Sequence, residues 1–208
     1  HAQGWQTISA SNLPFYPQDH APHAMTVADI QQLIADFAAS AKRAVDAGFD
    51  LIELHAAHGY LLHQFMSPLS NQRTDEYGGS FANRIRLTLE VFQAMKNVVP
   101  EGFPIGVRLS ATDWMDDVAS WDVESSIGLS KALEQLGAVY IHVSSGGLHV
   151  EQKLDIHAGF QVPFAEAIKK TVNIPVIAVG LITEAMQAEG ILQYEQADAI
   201  GIARAILY

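Results

Sequence analysis

LIELHAAHGYLLHQFMSPLSNQRTDEYGG, residues 51–79, begins inside an apolar run, Phe49 to Leu54, that is bounded by Gly48 and too short for a core helix. A run of that kind reads as a buried strand. His55 and His58 leave its carboxyl end, with Gly59 and Tyr60 directly behind them. Three hydrogen-bonding side chains therefore gather within six residues at the mouth of a buried sheet. That is where α/β folds place their ligands.

The same unit recurs on both sides of this corner. Upstream, Thr26 and Asp29 resemble a capping box. Ile30, Leu33, Ile34, Phe37, Ala41 and Ala44 follow at helical spacing. Downstream, Leu61 to Met66 reads as a short helical turn, and Ser80 as the N-cap of a helix carrying Ile85, Leu89, Phe92 and Met95. Further strands are expected at Ile105–Leu109, Val139–Val143, Pro175–Val179 and Ala199–Ala203. Helices near Val123–Leu136, near Pro163–Val172 and behind Thr183 separate them, with Gly137 closing the first. Residues 1–25 hold Gly4, Pro14, Pro17 and Pro22 without periodicity and read as an irregular surface segment.

Strand and helix alternate with no hairpin signals, which implies a parallel sheet with right-handed crossovers. A doubly wound sheet and a (β/α)₈ barrel both fit. Polar or glycine positions follow nearly every strand: His55, Arg108, Ser144, Gly180 and Arg204. A barrel focuses all its strand ends on one site, whereas an open sheet uses only its switch point. The expectation is therefore an α/β fold of the TIM (β/α)₈ type, one domain over residues 1–208, with five of the eight strands present.

Composition narrows the function. The 208 residues suffice for one sizeable core, and 49% hydrophobic with 17% charged residues describes a globular chain. A net charge of −11 argues against nucleic-acid binding and against docking on an anionic membrane. The absence of cysteine removes disulfides, thiolate catalysis and cysteine zinc sites, and is compatible with the cytoplasmic location expected here. No apolar stretch approaches the roughly 20 residues that span a bilayer.

Among the candidate site residues, two neutral imidazoles at His55 and His58 can donate to one oxygen. The alternatives are structural histidines, or a metal site with His63 as third ligand, although the spacing is not that of a helical HExxH motif. Arg108, in IGVRLS, is a permanent cation among apolar neighbours and calls for an anion, either a salt-bridge partner or a ligand. Gly180 and the Ala203-Arg204 pair end the last two strands, where barrels of this type build phosphate sites. Ser144-Ser145-Gly146-Gly147 reads either as an anion-binding nest or as a turn.

HAAHGYLLHQFMSPLSNQRTDEYGGSFANRIRLTLEV at 55–91, with GVRLSATDW, SSGG, QVPFA and AVGLIT further on, resembles the signature segments of the old yellow enzyme family. The histidine-pair version resembles its bacterial NADPH dehydrogenase and xenobiotic reductase branch. The resemblance runs from about Trp5 to Tyr208. It implies an FMN-dependent ene-reductase that takes hydride from NADPH or NADH and passes it to an activated alkene such as an enone. It implies that His55 and His58 bind the substrate carbonyl oxygen and that Tyr60 lies over the flavin and is one proton-donor candidate. It further implies that Arg108 lies beside the flavin N1/C2 carbonyl and that Ala203 and Arg204 bind the phosphate, with alanine replacing the family's glycine. A homo-oligomer of the full-length enzyme is expected. The family begins with three strands that have no counterpart here, so the resemblance implies a C-terminal portion, strands 4–8 of the barrel. A metal-dependent barrel hydrolase and a non-catalytic barrel fragment are the competing readings.

Overall fold

The computed structural model describes residues 4–207. Five strands form one sheet in the order β3 (Ile52–Ala56), β4 (Ile105–Ser110), β5 (Ile141–Ser144), β6 (Val176–Ala178) and β7 (Ala199–Ile200), every pair parallel. The order is strictly sequential, with no reversal of winding. A doubly wound sheet must reverse at its switch point, so this is the winding of a barrel, here an open arc.

Period-two alternation sorts the strands into two faces. Leu54, Ala56, Val107, Leu109, Ile141, Val143, Val176 and Ala178 are buried against the helices. The other face carries Glu53, His55, Arg108, Ser110, His142 and Ser144, a far more polar set. The helices α1 (Val27–Asp46), α3 (Phe81–Lys96), α4 (Val123–Leu136) and α5 (Val162–Lys169) pack each on the next, as an outer layer does. Their core residues include Leu87, Phe92, Leu129, Leu133 and Ile168, all fully buried. None of these helices is long and apolar enough to cross a membrane, nor is any other among the described residues.

Local chemistry explains the element ends. Thr26 and Asp29 form the expected capping box of α1. The helix ends in a Schellman motif: Gly48 adopts φ +85° and bonds Val45 O, while Phe49 N–H reaches back to Ala44 O. Phe49 thus belongs to the helix exit, and 63% of its surface is exposed. The strand accordingly starts three residues later than its apolar run predicts, and His55 lies within β3 instead of beyond it. Gly137 closes α4 in the left-handed region, as expected. Helix α6 (Ala185–Gln193) is not capped by Thr183; Glu184 precedes it without a side-chain cap.

The segment expected to be irregular contains a small parallel ladder, β1 (Ile8–Ser9) against β2 (His23–Ala24). Two-residue strands carry no periodicity, so nothing in the sequence marks them. Arg73 fixes this segment: its Nη1 donates to Ala10 O and Met25 O, while Asp75 holds the rest of the guanidinium. The polar NQRTDEYGG stretch is therefore a clasp. Asn71 adds bonds to Phe65 O and Tyr77 O, and Tyr77 donates to Glu90.

Candidate functional site

Register aligns the polar row. His55 on β3 pairs with Arg108 on β4, and Arg108 with His142 on β5. The next position of that face toward the carboxyl ends holds Ser110 and Ser144, also paired. Period two thus stacks Gly106, Arg108 and Ser110 along one strand, so the site is a patch of sheet surface crowned by loops.

The corner after β3 is tightly built. His58 takes φ +59° and its N–H donates to Ser110 Oγ at 2.9 Å, while Ser110 in turn donates to Gly146 O. Gly59 N–H donates to His63 Nδ1 at 3.0 Å. The SSGG segment crosses directly above. A Cβ on Gly147 would sit 2.6 Å from His58 Cα, and one on Gly59 would sit 2.2 Å from Gly147 O. Gly146 and Gly147 take φ +67° and +93°, and their N–H groups go to Thr112 O and Gln152 Oε1. Ser144–Gly147 is therefore a turn packed on the histidine corner, and its two glycine amides are already partnered.

The rings of His55 and His58 lie 5.2 Å apart, and those of His55 and Tyr60 5.4 Å apart. Tyr60 is 64% exposed at the start of the short helix α2 (Leu61–Met66). His58 Nε2 is 2.7 Å from Ser144 Oγ. Ser144 and Ser145 both donate to Gln161 Oε1, so His58 is the donor to Ser144 in a consistent network. Burial first, then the charge of Arg108, pushes His58 down to about 4 and lowers His55 as well. Both rings are neutral at pH 7. The half-buried Arg108 has its buried Nε without a partner among the described residues.

His63 is not part of this cluster. It is fully buried, accepts from Gly59, and turns Nε2 to 2.9 Å from Asp113 Oδ1, off the best hydrogen-bond line. Asp113 also accepts from Ser67 Oγ and Trp121 N–H. His63 is thus spent on holding the corner, and no group of metal-ligating side chains comes together among the described residues.

Gly180 follows β6 at φ +116°, and a Cβ there would lie 2.9 Å from Gln161 Nε2. Ala203, beyond the neighbouring β7, has φ −116°, not the positive φ that would call for the family's glycine. Arg204 is exposed in a 3₁₀ turn, Arg204–Ile206, without an ion pair among the described residues. Beside the histidine corner opens a cleft of about 780 Å³, bordered by Trp5, Phe15, His20, Gly59, Gln64 and His149. Neither His55 nor Arg108 lines it.

Sequence reasoning did not single out Ser110, Gln161, Glu53 or His142. Period two within IGVRLS places Ser110 on the face of Arg108, a signal that was available. Glu53 and His142 meet only through the register of different strands, and Gln161 reaches Ser144 and Ser145 from the start of α5.

Residues 7–208 match the model of the NADH:flavin oxidoreductase / NADH oxidase family. The chain belongs to this family. It is 50% identical to an NADH:flavin oxidoreductase of Gibberella zeae over 83% of this chain and 45% of that protein. It is 47% identical to the NADPH dehydrogenase of Bacillus velezensis over 95% of this chain and 57% of that one. The old yellow enzyme homologue from Zymomonas mobilis superposes with a TM-score of 0.79 at 26% identity, covering 96% of this chain and 57% of the other. The chain thus spans about half the length of the curated relatives it matches. The family is of the old yellow enzyme type, with FMN and a nicotinamide nucleotide as its cofactors.

Proposed function

We propose that this chain forms the β3–β7 part of an FMN-dependent ene-reductase, in which the inner sheet face holds the flavin and the histidine corner holds the substrate oxygen. One observation carries the reading: neutral His55 and His58 stand next to a buried guanidinium nitrogen that has no partner among the described residues. An unpartnered cationic donor beside two neutral donors suits a ligand that gains negative charge on one side and offers an oxygen on the other.

Arg108 would face the edge of FMN, while Gly180, Ala203 and Arg204 would take its phosphate. Bound FMN supplies hydride chemistry between NADPH or NADH and the alkene. The chain's own residues orient and polarise the substrate. His55 brings a ring with no hydrogen bond among the described residues. His58 exchanges Ser144 for the incoming carbonyl oxygen. Their bonds strengthen as charge builds on that oxygen, which is the differential stabilisation that lowers a barrier. Tyr60, close to His55 and open to solvent, stands where a proton can be delivered.

The sheet has two unpaired edges, β3 and β7, and barrel closure leaves none. Together with the share of the relatives that is spanned, this supports strands outside residues 1–208 that complete the barrel. The test is flavin content and NADPH-dependent reduction of cyclohexenone by the protein carrying those strands. Bound FMN with enone turnover is the expected result; a colourless protein without turnover contradicts the reading.

A further inference from the structure

We propose that Glu53, gripped by His142, is the counter-charge of Arg108 and sets how readily flavin bound at this face accepts electrons. The proposal rests on the reading of Arg108 as the residue that faces the flavin.

Glu53 lies on β3 opposite Gly106, two residues before His55 and on the same face of the sheet. His142 lies opposite Arg108 on the other side of β4. Its Nδ1 is 2.9 Å from Glu53 Oε2, a bond that bridges β3 and β5 across β4. Gly106, between the two bridge-bearing strands, leaves room for the Tyr140 ring: a Cβ there would lie 2.1 Å from it.

The carboxylate is ionised: burial would raise it, but His142, Tyr140 and Arg108 together hold it below its ordinary range. Burial first, and then this carboxylate, pushes the Tyr140 phenol up to about 12. Yet Glu53 does not form an ion pair with Arg108 directly; its close partner is His142. Held at one remove, the anion balances part of the guanidinium charge while leaving Arg108 Nε free for a ligand. Direct pairing would occupy that donor. Without the anion, the full cationic field would favour negative charge on the flavin, and such fields act strongly at poorly solvated sites. A bridge that only braced the barrel floor would not depend on the sign of the charge at position 53.

The test is the midpoint potential of FMN in the complete flavoenzyme, measured by spectroelectrochemical titration at pH 8, a readout that needs no turnover. Glu53→Gln is expected to favour reduced over oxidised FMN about tenfold, a shift of about 30 mV to more positive potential for two electrons. Glu53→Asp keeps the charge and is expected to stay nearer the unaltered enzyme. An unchanged or more negative potential in Glu53→Gln overturns the proposal. If that variant does not retain FMN, Tyr140→Phe decides. It removes a neighbour that shields the carboxylate but keeps the charge, so a more negative potential supports the proposal and an unchanged one overturns it. An unaltered enzyme that binds no FMN removes the reading of Arg108, and this inference with it.

Discussion

At the scale of single residues, the proposed site sets neutral rings beside a fixed cation. His58 titrates near 4 in the folded chain because burial, and then Arg108, oppose its protonation. In the unfolded chain an imidazole titrates near 6.5, so between these values the unfolded state binds more protons. The sign follows: stability from this group is intact above about pH 6.5 and is lost as pH falls toward 4. The urea midpoint of the unaltered protein should therefore drop more between pH 7 and 4.5 than that of His58→Gln; parallel curves would contradict the shift. In the proposed site Arg204 takes the phosphate end of FMN. Arg204→Ala should weaken FMN by about 1.5–3 kcal/mol, the scale of a charged hydrogen bond, and weaken riboflavin much less. Equal losses, read by fluorescence quenching, would move Arg204 away from the phosphate. That His55, His58, Tyr60 and Arg108 stand close together was legible in the sequence, because each is a polar side chain in or just after an apolar run. Glu53 and His142 were not, because 89 residues separate them and only strand register brings them together.

At the scale of elements, the histidine corner and the SSGG turn form one unit. A methyl group on Gly59 would meet Gly147 O, and one on Gly147 would meet the backbone of His58. Gly147→Ala adds that clash to a left-handed backbone at φ +93°. Left-handed strain alone costs about 1–2 kcal/mol, and here the displaced atoms belong to His58. Gly48→Ala has similar strain at φ +85° but nothing within 4 Å. The expected outcome is that both variants melt earlier, whereas only Gly147→Ala also weakens phenol binding. Equal phenol affinity in the two would show that the turn does not position the histidines. The choice between turn and nest stayed open in the sequence because SSGG suits either; the partners of its amides, Thr112 O and Gln152, lie outside the motif. Strand β3 shows the same limit, since the Schellman exit of α1 consumes Phe49 and shifts the strand.

For the whole molecule, the parallel arc was legible because strand and helix alternate with buried apolar runs at each strand. Its curvature into a barrel follows from the sequential strand order, which no local pattern encodes. An arc with free edges at β3 and β7 exposes unpaired backbone to other chains. Residues 1–208 expressed alone should self-associate, bind FMN weakly and show negligible enone reduction, as judged by sedimentation and flavin absorbance beside the barrel with its further strands. A monomeric, yellow and active short chain would refute the need for those strands. If this arc presents a substrate-oxygen site over a flavin, a phenol must bind there and perturb the cofactor. The measurement is titration of p-hydroxybenzaldehyde into the FMN-loaded, complete protein, following the long-wavelength charge-transfer band. A saturable band is expected in the unaltered protein. Binding should weaken by roughly 3–6 kcal/mol in the double variant His55→Ala/His58→Ala, the sum of two hydrogen bonds to a charged acceptor, with FMN retained. An undiminished band in that variant would show that the histidine pair does not hold the substrate oxygen.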